Sequence, residues 1–352
     1  MRAPREDRKA GGRKKRIAQP RPFAIPAAGL GPRVLAVLSR NKAWIGLLAF
    51  LVVLSLAVPF FLTPSNLVGL LLSLSMVGMG SCVMLFCLSS GNIDLSLESI
   101  VALSGVAAAV AINGTGSVAA GVIFGIAVGA LVGCINGLVV TKLQVNSLIA
   151  TTAMMQIVRG LCFVASNGSA VGVSDEGFYA IGNSFFLGIP SPAWIAFACV
   201  AFFGFVFSNT SFGKDVLAIG GNREFARLAG VNVDRVQILL FTIQGLVAGG
   251  AGVILASRMT SGQPNSSTGY SFDVISACVL GGVSVSGGKG RISGVILGVL
   301  AIGVVQNAMS LLNLPSFNQY LTRGGILLAA VIYDQAKNRK PRRRRSMDSG
   351  SR

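Results

Sequence analysis

The chain contains no histidine, which removes the side chain most used as a general base near neutral pH and as a metal ligand. Charge is scarce too. Only 12% of its 352 residues are Asp, Glu, Lys or Arg, while 52% are hydrophobic and the mean hydropathy is +0.70. A soluble core does not need that much apolar surface, so the composition is that of a membrane protein. Paired cysteine patterns are missing as well. Cys82, Cys87, Cys134, Cys162, Cys199 and Cys278 all fall in apolar runs and none belongs to a Cys-x-x-Cys pair. That argues against structural disulfides and zinc, and for service as small apolar packing groups. Acidic residues number 12 against 30 basic ones, a formal net charge of +18. Nucleic acid is the obvious partner for such a balance, but the distribution excludes it. Residues 1–42 hold 12 Lys or Arg and 2 acids, residues 335–352 hold 8 and 1, and everything between is close to neutral. No nucleic acid partner is expected.

What is present is a succession of apolar runs, at 43–62, 67–90, 97–112, 117–140, 148–166, 192–209, 236–257, 271–286, 291–312 and 318–334. They predict an all-α polytopic membrane protein with about ten transmembrane helices over residues 43–334. A disordered basic cytoplasmic arm (1–42) and a basic cytoplasmic tail (335–352) would flank it. The first run follows a basic leader as in a secretory signal, yet it is about 20 residues long and lacks a small-x-small exit, so it reads as a helix that stays. The third and eighth runs are short. They are open to being tilted, broken or re-entrant, because irregular backbone at depth is tolerated against protein or a wet cavity.

Positive charge orients the runs. Lys142, then Lys214, Arg223, Arg227 and Arg235, then Lys289 and Arg291 fall on one set of connections, and the other set holds only Arg258. The positive-inside rule places the first set and both termini in the cytoplasm. The longest outer connection, 167–191, carries Asp175, Glu176, Phe178, Tyr179, Phe185 and Phe186 with no Lys or Arg. It suits an external partner or translocation, and equally a plain exported loop.

Between the sixth and seventh runs lies a polar island, residues 214–235. Asn222 is a helix cap, Phe225, Leu228 and Ala229 share a helical face, and Gly230 suits a left-handed stop. A helix of about seven residues does not hold its shape alone in water. One reading is a coupling segment built from Gly221, Asn222, Arg223, Glu224, Phe225, Ala226, Arg227, Leu228 and Gly230, which presses into a partner subunit. The other is an ordinary solvated connector.

Gly121, Gly125, Gly129, Gly133 and Gly137 recur every fourth residue and predict a smooth face against which another backbone packs. Candidate substrate-path residues are Asn92, Asp94, Ser96, Gln156, Arg159 and Asn307. Asp94 and Ser96 stand where two apolar runs break, and either cap the third helix or line a polar cavity. Glu98, one turn on, is expected to pair with a cytoplasmic Lys or Arg. Gln156 and Arg159 share a face of the fifth run, and a buried Arg needs an acceptor. Together with Asn136, Gln244 and Gln306, such amides suit a neutral polyhydroxylated solute, or simply bond helix to helix. The stretch Gly281–Gly290 looks like a phosphate loop, but Val283 stands where a glycine is required and Gly290 where Ser or Thr follows the lysine. The chain is therefore not expected to hydrolyse ATP, and no catalytic residue, metal or cofactor is assigned to it. An ion-coupled carrier of a small polar solute is the competing class, with Asp94 as its candidate titrating group.

Several segments carry a family likeness: MVGMGSCVMLFCLSSGNIDLSLESIVALSG (76–105), TTAMMQIVRGL (151–161), VGVSDEGFYAIG (171–182), AIGGNREFARLAGV (218–231), LASRMTSGQP (255–264) and ISACVLGGVSVSGGKGRISG (275–294). From Trp44 to Asp334 the chain resembles the sugar permeases of bacterial ATP-binding-cassette importers, the ribose/xylose/arabinose group, and within it the L-arabinose branch. The resemblance implies a multi-pass inner-membrane permease importing a monosaccharide, L-arabinose foremost, and working as a homodimer. It implies separate ATPase subunits, which bind the ATP and dock on cytoplasmic coupling helices, and a periplasmic sugar-binding protein that delivers the solute. On it, Gly221–Gly230 corresponds to the coupling helix, and Asp94 with Ser96 to an Ile-Asp-Leu-Ser signature. The arm and the Arg342–Arg345 run lie outside the likeness, where attraction to anionic membrane lipid and simple topological retention are both sufficient roles.

Overall fold

The structure, a computed structural model, describes residues 42–338, so the basic arm except Lys42 and the tail beyond Asn338 lie outside the described residues. Of these, the described residues from Gly46 to Asn338 form one compact unit. The long helices are α1 (Lys42–Ala57), α2 (Pro64–Ser89), α3 (Leu97–Thr115), α4 (Val118–Lys142), α5 (Ser147–Ala165), α7 (Ser191–Asn209), α10 (Val233–Arg258), α12 (Ile292–Leu311) and α13 (Ser316–Asn338). Shorter pieces are β1 (Val171–Gly172), α6 (Glu176–Asn183), β2 (Phe185–Phe186), β3 (Ile189–Pro190), α8 (Ser211–Gly221), α9 (Arg223–Leu228), β4 (Ser261–Gly262) and α11 (Tyr270–Leu280). Every apolar run thus corresponds to a helix, but among the described residues seven helices are long and apolar enough to cross a membrane.

Helix α2 is the axis of the bundle. Every residue from Ser75 to Ser89 is buried, as suits a helix that is apolar all round and enclosed by others. Pro64 starts it where no intrahelical N–H is needed, and Gly91, at φ +81°, turns the chain after it. Helices α3 and α10 complete the interior, with α4 laid across both. Along α4, a Cβ added to Gly121 or Gly125 would lie 2.8 Å from the Ala108 oxygen or 2.7 Å from the Ser104 oxygen of α3. One added to Gly129 would lie 2.5 Å from the Gly245 oxygen of α10, and one at Gly137 2.8 Å from Ile238 Cα, while one at Gly133 would collide with the Phe241 oxygen. Backbone meets backbone along this seam, which maximises dispersion contact where lipid offers no hydrophobic drive between helices.

The two short runs, both open to being tilted, broken or re-entrant, part ways. The third forms a full 19-residue helix, because Asn113 and Gly114 are carried in its last turn and the left-handed stop falls at Gly116, φ +66°. The eighth is broken. Chain from Thr260 to Gly269 is not helical: β4 pairs with β1, residues 264–269 follow in turns, and Ser267 Oγ donates to the Glu98 carbonyl oxygen at 2.7 Å. Only then does α11 begin, 11 residues or about 16 Å long, well short of a bilayer core of about 30 Å. Its end at Leu280 precedes the predicted 286 because Gly282 adopts φ +82°. Tyr270 Oη donates to the Met76 oxygen at 2.7 Å, which pins the start of α11 to the middle of α2.

Candidate functional site

Helix α9 is fixed by its own residues. Asn222 Oδ1 accepts from the Phe225 N–H at 3.0 Å, and past the C-terminus Gly230, φ +87°, lets the Val231 N–H reach the Ala226 oxygen at 3.0 Å. Six residues would not stay helical unaided. Ala226 is the buried anchor, clustered with Ile219 of α8 and Val233 of α10. Phe225 and Leu228 point away, 73% and 83% exposed. Polar ties hold the knob sideways: Arg223 Nη2 donates to Gln237 Oε1 at 3.0 Å, and Asp234 receives Arg227 at 3.4 Å and Lys142 of α4 at 2.8 Å. Two cations on one carboxylate connect α9, α10 and the end of α4, although exposed pairs each add little stability.

Beneath the knob, three backbone segments close on one another. The Ser89 carbonyl oxygen at the end of α2 accepts the Gly288 N–H at 2.9 Å. Gly220, in the last turn of α8, packs on the same oxygen, where a Cβ would collide with it and lie 2.6 Å from the Gly288 nitrogen. Gly287 and Gly288 adopt φ +82° and +74°, and a Cβ at Gly287 would lie 2.8 Å from the Gly220 oxygen and 3.0 Å from Gly91 Cα. The glycine-rich stretch that mimics a phosphate loop is thus a packing joint. Five glycines in ten residues, Gly281–Gly290, between two apolar runs were the only sequence sign of it.

From Gly91 the chain turns back toward α3. Asp94 Oδ1 accepts the Ser96 N–H at 2.8 Å and the Ser96 hydroxyl at 2.6 Å, and Asn136 Nδ2 of α4 donates to Ser96 Oγ at 2.8 Å. Ser96 stands at the N-cap of α3 but makes no capping bond with its side chain, which is engaged by Asp94 and Asn136 instead. All three residues are buried. Backbone N–H groups of Ile93 and Leu95 donate to Ser147 Oγ and Thr151 Oγ1 of α5, at 3.2 and 3.1 Å, while Asn92 Nδ2 donates to Ser90 Oγ at 2.9 Å. In this connection burial pushes the Asp94 carboxyl up to about 6, partly offset by the hydroxyl and N–H of Ser96.

Glu98 does not pair with a cytoplasmic cation. Its partner is Arg159 inside α5, at 3.6 Å, because the turns of residues 264–269 bring both to one place. Arg159 Nη1 donates to the Pro264 and Ser266 oxygens at 2.6 and 3.0 Å, and Glu98 Oε2 accepts the Gly269 N–H at 2.8 Å. The pair therefore clamps the chain that leads into α11. Gln156 is exposed on α5. Asn307 is elsewhere: it exchanges amide hydrogen bonds with Asn66, 2.7 and 3.0 Å, near the start of α2 and far along that helix from Ser89. The six path candidates therefore divide among three locations.

A family model described as branched-chain amino acid transport system / permease component matches residues 65–331. The chain is 50% identical over 319 residues to the L-arabinose ABC transporter permease protein of Azospirillum brasilense, covering 91% of this chain and 94% of the relative. It is 53% identical over 301 residues to the L-arabinose transport system permease protein of Escherichia coli K12, with 84% and 92% covered. Against the ribose import permease protein of the same strain the identity is 36% over 312 residues, with 86% and 95% covered. No solved structure matches it. A model that spans α2 to α13, and relatives this alike over nearly their full length, place the chain plainly in this family of multi-pass inner-membrane permease components.

Proposed function

We infer that this permease moves a monosaccharide, L-arabinose, inward across the membrane and draws its energy from ATP hydrolysed on separate subunits. The substrate rests on one observation: identity to the L-arabinose permeases exceeds 50% or equals it, while identity to the ribose permease stops at 36%. The family model's description names amino acids, but these relatives stand much closer than a family-wide description. The chain itself carries no cofactor, and ATP belongs to the partner.

The coupling role falls to Gly221–Gly230. A short helix, capped at one end and stopped at the other, that buries Ala226 and exposes Phe225 and Leu228 is shaped to enter a groove on another subunit. Displacing it moves Gly220, and through the Ser89–Gly288 joint the end of α2 and the Gly91–Ser96 connection. That gives a mechanical route from ATPase to the interior of the bundle. A second permease copy would complete the translocation path, a soluble sugar-binding protein would deliver the solute outside, and both termini would lie in the cytoplasm, where the basic segments meet anionic lipid. The test is reconstitution of permease, ATPase and binding protein in vesicles. ATP-dependent uptake of L-arabinose above ribose and xylose is the expected result, and preference for another pentose would refute the sugar while leaving the importer.

A further inference from the structure

We propose that the β2–β3 hairpin is a membrane-surface anchor, with its apolar tip seated among the headgroups and first methylenes of the leaflet remote from α9. The hairpin pairs Phe185 with Pro190 and Phe186 with Ile189, and its two turn residues, Leu187 and Gly188, both take positive φ, 51° and 74°. That is the tight turn whose twist matches a hairpin. Phe185, Phe186 and Leu187 are nonetheless 59%, 63% and 78% exposed. Leaving three such side chains in water forgoes about 1.5–3 kcal/mol each.

The hairpin is not a loose loop that dangles these groups. The Ser191 N–H donates to the Ser184 oxygen at 2.8 Å, Ser191 Oγ to the Ile181 oxygen at 2.7 Å, and Trp194 Nε1 to the Phe186 oxygen at 3.1 Å. Trp194 also meets the Phe186 ring edge-on, centroids 6.0 Å apart. Trp194 stands in the first turn of α7, a membrane-spanning helix whose exposed residues Ile195, Phe197, Phe202 and Phe205 continue the same apolar surface. The tip is therefore the upper rim of a lipid-facing band, where aromatic side chains favour the interface. A soluble partner is the weaker occupant, since residues 183–191 contain no Asp, Glu, Lys or Arg to steer one.

The chain has only two tryptophans, Trp44 and Trp194, so a reporter can be moved to the tip. The variant W44F/W194F/F185W, and independently W44F/W194F/L187W, would be reconstituted in vesicles of brominated phosphatidylcholine. Phe185 and Leu187 are exposed, Trp194→Phe keeps a ring against Phe186 and gives up only the Nε1 bond to its oxygen while the Ser191 bonds remain, and size-exclusion profiles matching the parent show that the fold is kept. Bromine near the headgroup should quench the tip tryptophan at least about twofold more than bromine deep in the chain, the depth profile of an interfacial ring, and aqueous iodide should have little effect. Iodide quenching without lipid quenching would overturn the proposal. So would shielding from iodide that appears only on adding the soluble sugar-binding protein, which would make the tip a protein-docking surface.

Discussion

Gly220 of α8 rests its α-carbon on the carbonyl oxygen of Ser89, the same oxygen that accepts the Gly288 N–H at 2.9 Å. No side chain fits between them. Gly220→Ala must push the end of α2 or the glycine-rich stretch aside, at a cost of about 1–3 kcal/mol for overpacking. Because α9 and its exposed residues are untouched, ATPase should still co-purify, while ATP-driven uptake falls by about tenfold or more, a loss of at least roughly 1.4 kcal/mol in the transport barrier. Gly250→Ala, in α10 and outside the coupling segment, is the control, since nothing lies within 4 Å of a Cβ there. Equal uptake by the two variants would remove the joint from the coupling route.

Phe225 and Leu228 test the knob itself. As exposed side chains they hold little of the fold, so Phe225→Asp and Leu228→Asp should change the melting temperature by no more than surface substitutions do, about 0.5 kcal/mol. Each should release the ATPase in pull-down and abolish uptake. Ala226→Asp does the opposite kind of damage: it buries a charge against Ile219 and Val233 and should destabilise the whole cytoplasmic end. Normal ATPase co-purification with either surface variant would falsify the docking role.

The helix positions were legible in the sequence because a bilayer demands long apolar runs, and the limits of α9 were legible because Asn222 and Gly230 act on their own neighbours. Long-range partners were not. Nothing local tells Glu98 that its cation is Arg159, or Asn66 that its amide partner is Asn307, since those pairings follow from how the non-helical chain at 260–269 and the ends of α2 and α12 are brought together. The glycine-rich stretch showed what it was not, a nucleotide loop, and the backbone joint that it forms with Ser89 and Gly220 required the fold. Run eight hid a half-length helix because Gly281 and Gly282 end α11 inside a stretch that apolar composition alone counts as continuous.

The Glu98–Arg159 pair makes a prediction about cost. Both side chains are mostly buried, and Arg159 Nη1 donates to the Pro264 and Ser266 oxygens. Removing one charge strands the other, so Glu98→Gln and Arg159→Met should each cost about 3–5 kcal/mol. The double variant should cost clearly less than the sum, because no lone charge is left inside. Thermal melts of the four proteins in detergent form the cycle, and additive losses would mean that the two groups do not interact across α3 and α5.

Asp94 separates an ATP-driven permease from an ion-coupled carrier. Its carboxyl is raised to about 6 by burial, so the folded protein holds the neutral form more tightly than the unfolded chain does. The sign follows: the group favours folding most below pH 4, and that advantage is lost as pH climbs through about 6. Above this range ionisation costs the folded state up to about 3 kcal/mol. Asp94→Asn keeps an oxygen for the Ser96 N–H and hydroxyl while removing the charge. Its melting temperature should therefore match the parent at pH 4 and exceed it at pH 7.5, and ATP-dependent sugar uptake should persist within about threefold, as expected when a removed group takes no part in the driving reaction. Abolished uptake with ATPase activity intact, by contrast, would put a proton or cation at Asp94 into the transport cycle.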